Sequence, residues 1–212
     1  MELSRKILVV FLFSMVMAYL ESAVVVYLRE LYYPSGFTFP LKIIPDKILI
    51  IELGRELATI IMLVTIALIA GKIFVEKVAY FLFAFGVWDI FYYIWLKVFI
   101  NWPASLLTDD LLFLIPVPWI SPVLAPVLVS VIFISFSILA LRQTEAGSRI
   151  KFMKSDIILI LIGVILILFG FICNFEERLN STSPVEFMWE VFLIGLLSLS
   201  VGLLRPAFSI KQ

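Results

Sequence analysis

The sequence predicts an all-α polytopic membrane helix bundle, with six transmembrane helices plus a short interfacial or re-entrant helix near residues 105–115. Three observations carry this reading. Of the 212 residues, 63% are hydrophobic and 15% charged, with a mean hydropathy of +1.16, which is more apolar surface than a soluble core hides. Six apolar runs approach or exceed the ~20 residues that cross a hydrocarbon core. The alternating pattern that a membrane barrel requires is absent.

The six runs are residues 7–28, 48–70, 78–100, 119–141, 157–173 and 187–204, which together make residues 1–212 one integral membrane domain. The first opens like a secretory signal, with a basic "MELSRK" and a "VMA" that fits a cleavage site. It is taken here as a retained helix. Between the third and fourth runs, "NWPASLLTDDLLFLIPVPW" is too apolar for a free loop and too broken by proline for a full span. Thr108 is positioned to cap a short helix starting at Asp109 and Asp110. In "PVPWISPVLAPV", Pro122 and Pro126 each remove a helical hydrogen bond from the fourth run and free the carbonyls of Pro118 and Pro122. The loop "YYPSGFTFPLKIIPDK" mixes aromatics and prolines as an interfacial segment does.

Orientation follows from the short loops. With the N-terminus inside, Arg5, Lys6, Lys72, Lys77, Arg142, Arg149, Lys151, Lys154, Arg205 and Lys211 are cytoplasmic, against Arg29, Lys42, Lys47, Lys97 and Arg178 outside. The excess of basic residues on one side predicts a multi-pass cell-membrane protein with both termini cytoplasmic. The tryptophans at 88, 95, 102, 119 and 189 read chiefly as interfacial anchors, and the Asn-Ser-Thr at 180–182 is a glycosylation pattern on the outer side.

Composition removes several function classes. There is no histidine, which excludes His-ligated haem, the common zinc and copper sites and His-dependent triads. The single Cys173 excludes an internal disulfide or a thiolate metal cluster and reads as a small core residue. Net charge is zero and no basic patch carries interleaved aromatics, so nucleic acid is not an expected partner. The expected partners are the lipid bilayer and, in one reading, other membrane-protein subunits.

The informative residues are the ionisable ones inside the runs, since such groups usually face a bundle interior or a wet cavity. On a helical wheel Glu52, Arg55 and Glu56 fall within an arc of about 100°, with Thr59 between them and Leu63 continuing the face. Glu21 lies about 21 Å from the inner end of the first run. Asp89 lies near the middle of the third, with Tyr92 and Tyr93 one turn further out. All belong to the predicted outer half. Asp109, Asp110, Glu186 and Glu190 form a candidate rim, although each also reads as a solvated loop acid or a helix N-terminal charge. Glu52 alone is shallow enough to snorkel to the interface.

Glu21, Glu52, Glu56 and Asp89 against Arg55 leave three uncompensated negative charges. Protons, a bound cation or solvent must make up the balance. The first reading is therefore a small membrane protein with an acid-lined extracytoplasmic cavity that binds or transports a cation, a proton-coupled solute or an amine-bearing molecule. All-oxygen ligands would suit hard cations such as Na⁺, Mg²⁺ or Ca²⁺. The alternatives are an intramembrane enzyme acting on a lipid, isoprenoid or quinone headgroup, with paired carboxylates in acid/base roles, and a non-catalytic subunit whose acids meet basic residues of a partner.

Overall fold

The structure, a computed structural model, describes residues 2–34, 36–38, 40, 45–180 and 185–208, without the side chains of 178 and 180. Expectations that rest on Lys42, Lys211, the Arg178 side chain, and Ser181 and Thr182 of the glycosylation pattern lie outside the described residues. The elements, in order, are α1 (Leu3–Tyr32), α2 (Asp46–Ala70), α3 (Phe74–Ile100), β1 (Asp109–Phe113), β2 (Trp119–Pro122), α4 (Leu124–Glu145), α5 (Lys154–Ile172), α6 (Phe175–Asn180) and α7 (Trp189–Phe208). Among the described residues, six helices are long and apolar enough to cross a membrane: α1 to α5 and α7. With every backbone bond satisfied inside the segment, the helix is the form such a run takes in hydrocarbon.

Several helices are longer than the apolar runs that announced them. α1 extends to Tyr32 and α3 begins at Phe74, because charged residues at a span end continue the helix into the headgroup layer while hydropathy stops at the hydrocarbon edge.

The short helix expected near 105–115 is a β-hairpin. β1 and β2 pair antiparallel, with Asp110 opposite Ser121 and Leu111 opposite Ile120, and with an irregularity between Leu111 and Phe113. Thr108 caps no helix there. Its hydroxyl accepts the Ser105 N–H at 3.1 Å and closes the turn leading into β1. The leucines favour a helix locally, but Pro116 and Pro118 end it within two turns, and the ladder to β2 gives the backbone polar groups partners that a broken helix lacks.

The fourth span consequently starts at Leu124, and the expected loss of helical hydrogen bonds does not occur. Pro122 sits in β2, where its carbonyl accepts the Ser121 hydroxyl, and Pro126 lies in the first turn of α4, where an N–H has no intrahelical acceptor anyway.

α3 is the centre of the bundle. It packs against α1, α2 and α4, while α5 packs along α7 and α4 joins the two groups by its contact with α7. Its buried residues lie almost all around the helix, from Ala79 and Tyr80 to Tyr93 and Leu96, as expected of a helix surrounded by others. Gly86 permits the close α3–α4 approach, since a Cβ there would stand 2.8 Å from the Ser130 carbonyl oxygen. The α5–α7 pair is closer still: a Cβ on Gly163 would meet the Leu199 nitrogen at 2.6 Å, and one on Gly195 would meet the Leu166 Cβ at 2.8 Å.

The outward faces are aliphatic, as on α5 with Ile158, Leu161 and Ile165, each more than half exposed. The end that holds the termini is tied by polar contacts. Lys6 Nζ donates to the Ala70 carbonyl at 2.9 Å, the Gln143 side chain donates to the Ala207 carbonyl, and Arg205 Nε donates to Asp156 Oδ1 at 2.8 Å. Asp156 is 1% exposed, and its other oxygen accepts the Met153 N–H at 2.7 Å to cap α5. Cys173 is only half-buried, with its Sγ 3.0 Å from Met188 Sδ.

Candidate functional site

The opposite end holds the hairpin, and beside it lies a cavity of about 270 Å³. Its lining includes Glu21, Glu52, Arg55, Glu56, Asp89, Tyr92 and Tyr93, so the residues singled out within the first three spans share one space.

α2 supplies the first wall. Glu52, Glu56, Thr59, Leu63 and Ala67 are its buried residues, at successive spacings of four, three, four and four, which is one face of a helix. Glu52 is 6% exposed and therefore does not snorkel to the interface. Arg55 Nε donates to Glu52 Oε2 at 2.8 Å, and Arg55 Nη1 pairs with Glu21 across to α1. Thr59 Oγ1 donates to the second Glu21 oxygen at 3.2 Å. Glu56 does not join this group. Both its oxygens accept the backbone N–H of Leu114, at 2.9 and 3.0 Å, where the chain leaves β1.

α3 supplies the second wall. Asp89 is 8% exposed, and its Oδ2 accepts the Ser130 hydroxyl of α4 at 2.8 Å, a contact that depends on the close approach at Gly86. Among the described residues no cation pairs with Asp89. Aromatic rings line the same cavity, and Trp88 packs against Phe85, Tyr92 and Phe113, with ring centroids 5.5, 6.4 and 6.2 Å away. Ser22 ties the frame together by donating to the Tyr92 carbonyl at 3.0 Å.

The third component, Arg29, was not singled out from the sequence. Its position past the first apolar run predicts a loop cation, yet it is 8% exposed and lines the cavity. Its guanidinium stacks 3.8 Å from the Trp102 ring centroid and 4.5 Å from that of Phe37, and Nη2 donates to Asp110 Oδ1 at 3.0 Å. The signal was present in the spacing: Arg29 follows Ser22 by seven residues, so a helix running past Leu28 carries it onto the buried face of α1. Asp110, expected at the rim, is 1% exposed and lines the cavity. Burial pushes its carboxyl up to about 6, against the opposing pull of Arg29.

The rest of the rim does not assemble. Asp109 lies on β1 and Glu186 and Glu190 are exposed near the start of α7, and none of the three lines the cavity. Trp88, Trp102 and Trp119 pack at or around the site. Glu176 and Glu177 are exposed on α6.

Five carboxyls and two guanidiniums thus face one space, again an excess of three negative charges if all are ionised. Among the described residues no three acids come together as a metal-binding group. Compared with protein-family models, curated proteins and solved structures, the chain matches none of them.

Proposed function

We propose that this membrane protein binds an amine-bearing organic cation in the hairpin-end cavity, as a carrier or binding protein, with Asp89 as the counter-charge. The observation that carries the reading is Asp89 itself: a buried carboxyl whose hydrogen-bond partner is a neutral hydroxyl, in a cavity also lined by aromatic side chains and holding more acids than bases. A carboxylate beside aromatic rings is the combination that receives an alkylammonium, one by charge and the others by their negative faces. A bare hard cation would need several convergent oxygens, and the cavity acids are dispersed among separate protein partners. The subunit reading needs acids on an outward face, whereas these are buried. The basic residues concentrated in the terminal-end loops support a cavity that opens in the extracytoplasmic half.

The test is thermal unfolding of the purified protein in detergent with butylamine, choline and, as a neutral control, butanol. Ligand at about 100 times its Kd stabilises by roughly 2.7 kcal/mol. The amines are expected to raise the midpoint for wild type and not for Asp89→Asn, with butanol inactive in both. Equal responses from the two proteins, or none from wild type, overturn the reading.

A further inference from the structure

The charged residues occupy only one side of the cavity. Every lining residue from α4, α5 and α7 is apolar, among them Phe133, Val164, Ile167, Leu168, Phe171 and Leu199. A small hydrated cation leaves such a wall unused, because hydrocarbon surface is buried with gain only against hydrocarbon.

The position of that wall indicates where its occupant comes from. α5 packs against α7 and β2, and α2 against α3 and α1, and among the described residues α2 and α5 do not pack closely against each other although both line the cavity. Leu114, which follows β1, is bonded to Glu56 of α2, and β2 contacts α5. Val164 lines the cavity and is still 38% exposed, next to Leu161 and Ile165 on the aliphatic outer face of α5. Val164 thus belongs both to the cavity lining and to the outer face of α5. The volume of about 270 Å³ lies just under the ~300 Å³ at which ligand pockets begin, room for a headgroup and the first part of a chain.

We infer that the ligand is a single-chain membrane amphiphile with an ammonium headgroup. The ammonium lies against Asp89 and its aromatic ring, the first methylenes lie along the α4–α5–α7 wall, and the remaining chain extends toward the bilayer between α2 and α5. This deepens the cation reading and rests on it.

The experiment measures binding of n-alkylamines from two to ten carbons to the protein in detergent, corrected for partition into protein-free micelles, with n-alkanols of equal length as controls. Affinity for wild type is expected to rise about fourfold per methylene over the first several carbons and then level off. Leu168→Phe and Ile167→Trp narrow the wall and are expected to flatten the series, with the gain per methylene falling toward that of the protein-free control. A single cooperative unfolding transition near the wild-type midpoint shows that the variants are folded. If butylamine binds in an Asp89-dependent way but wild type shows no chain-length dependence, or both wall variants keep the wild-type slope, the amphiphile inference falls and the cation reading stands. If no amine binds, or alkanols bind as well as amines, both fall.

Discussion

Glu56 accepts the Leu114 N–H with both carboxylate oxygens, at 2.9 and 3.0 Å, and through this contact a transmembrane helix holds a hairpin 58 residues away. An apolar or small side chain at 56 leaves that amide without an acceptor in a poorly hydrated place. Glu56→Ala is expected to lower stability by about 1–3 kcal/mol, and Glu56→Gln, which keeps one acceptor oxygen, by less. Chemical unfolding in detergent measures both, and equal losses would remove the hydrogen bond as the cause.

Arg55 holds two acids on two helices, Glu52 on its own and Glu21 on α1. Its removal strands both carboxylates in a partly buried site. Arg55→Met is expected to destabilise by roughly 3 kcal/mol, and adding Glu21→Gln to recover part of that loss. A double-mutant cycle reads the coupling directly, and strictly additive losses contradict the pairing.

The pH dependence expected from Asp110 has a definite sign. Its folded-state value of about 6 lies above the ordinary 3.8, so between those limits the folded chain holds a proton that the unfolded chain has lost. Stability from this group is therefore fully present below about pH 4, falls as pH rises toward 6 and is level above that. Unfolding midpoints of wild type and Asp110→Asn across pH 4–8 are expected to converge in slope above pH 6 and to differ below it.

Gly86 sets the distance at which α4 delivers Ser130 to Asp89. Gly86→Ala pushes against the Ser130 carbonyl and is expected to cost about 1–3 kcal/mol by overpacking, with weakened amine binding in the same protein. Gly195→Ala, at the α5–α7 contact away from Asp89, is expected to lower stability similarly and to leave the affinity for butylamine unchanged. A parallel loss of affinity in both variants would mean that general loosening, not the placement of Ser130, controls binding.

Much of the cavity was legible along the chain. Ionisable residues in a hydrocarbon layer must turn inward, so Glu21, Glu52, Arg55, Glu56 and Asp89 could be assigned to one interior from depth and helical period alone. Asp110 was read only as a rim acid, because its burial depends on the hairpin beneath it. Arg29 reads as a loop cation along the chain because hydropathy ends a span earlier than the helix itself ends. The rim acids Asp109, Glu186 and Glu190 carried charge but no period that would fix the direction of their side chains.

The sequence by itself determined six membrane-crossing helices and the shared face of the polar residues inside the apolar runs, since lipid leaves a lone segment no backbone partner but itself and the helical repeat then fixes direction. Only the tertiary structure decided which acid met which partner. The register of β1 against β2, the reach of Leu114 to Glu56, and the approach of α4 at Gly86 all join residues distant along the chain. Such contacts depend on how elements pack together, and no local pattern encodes that.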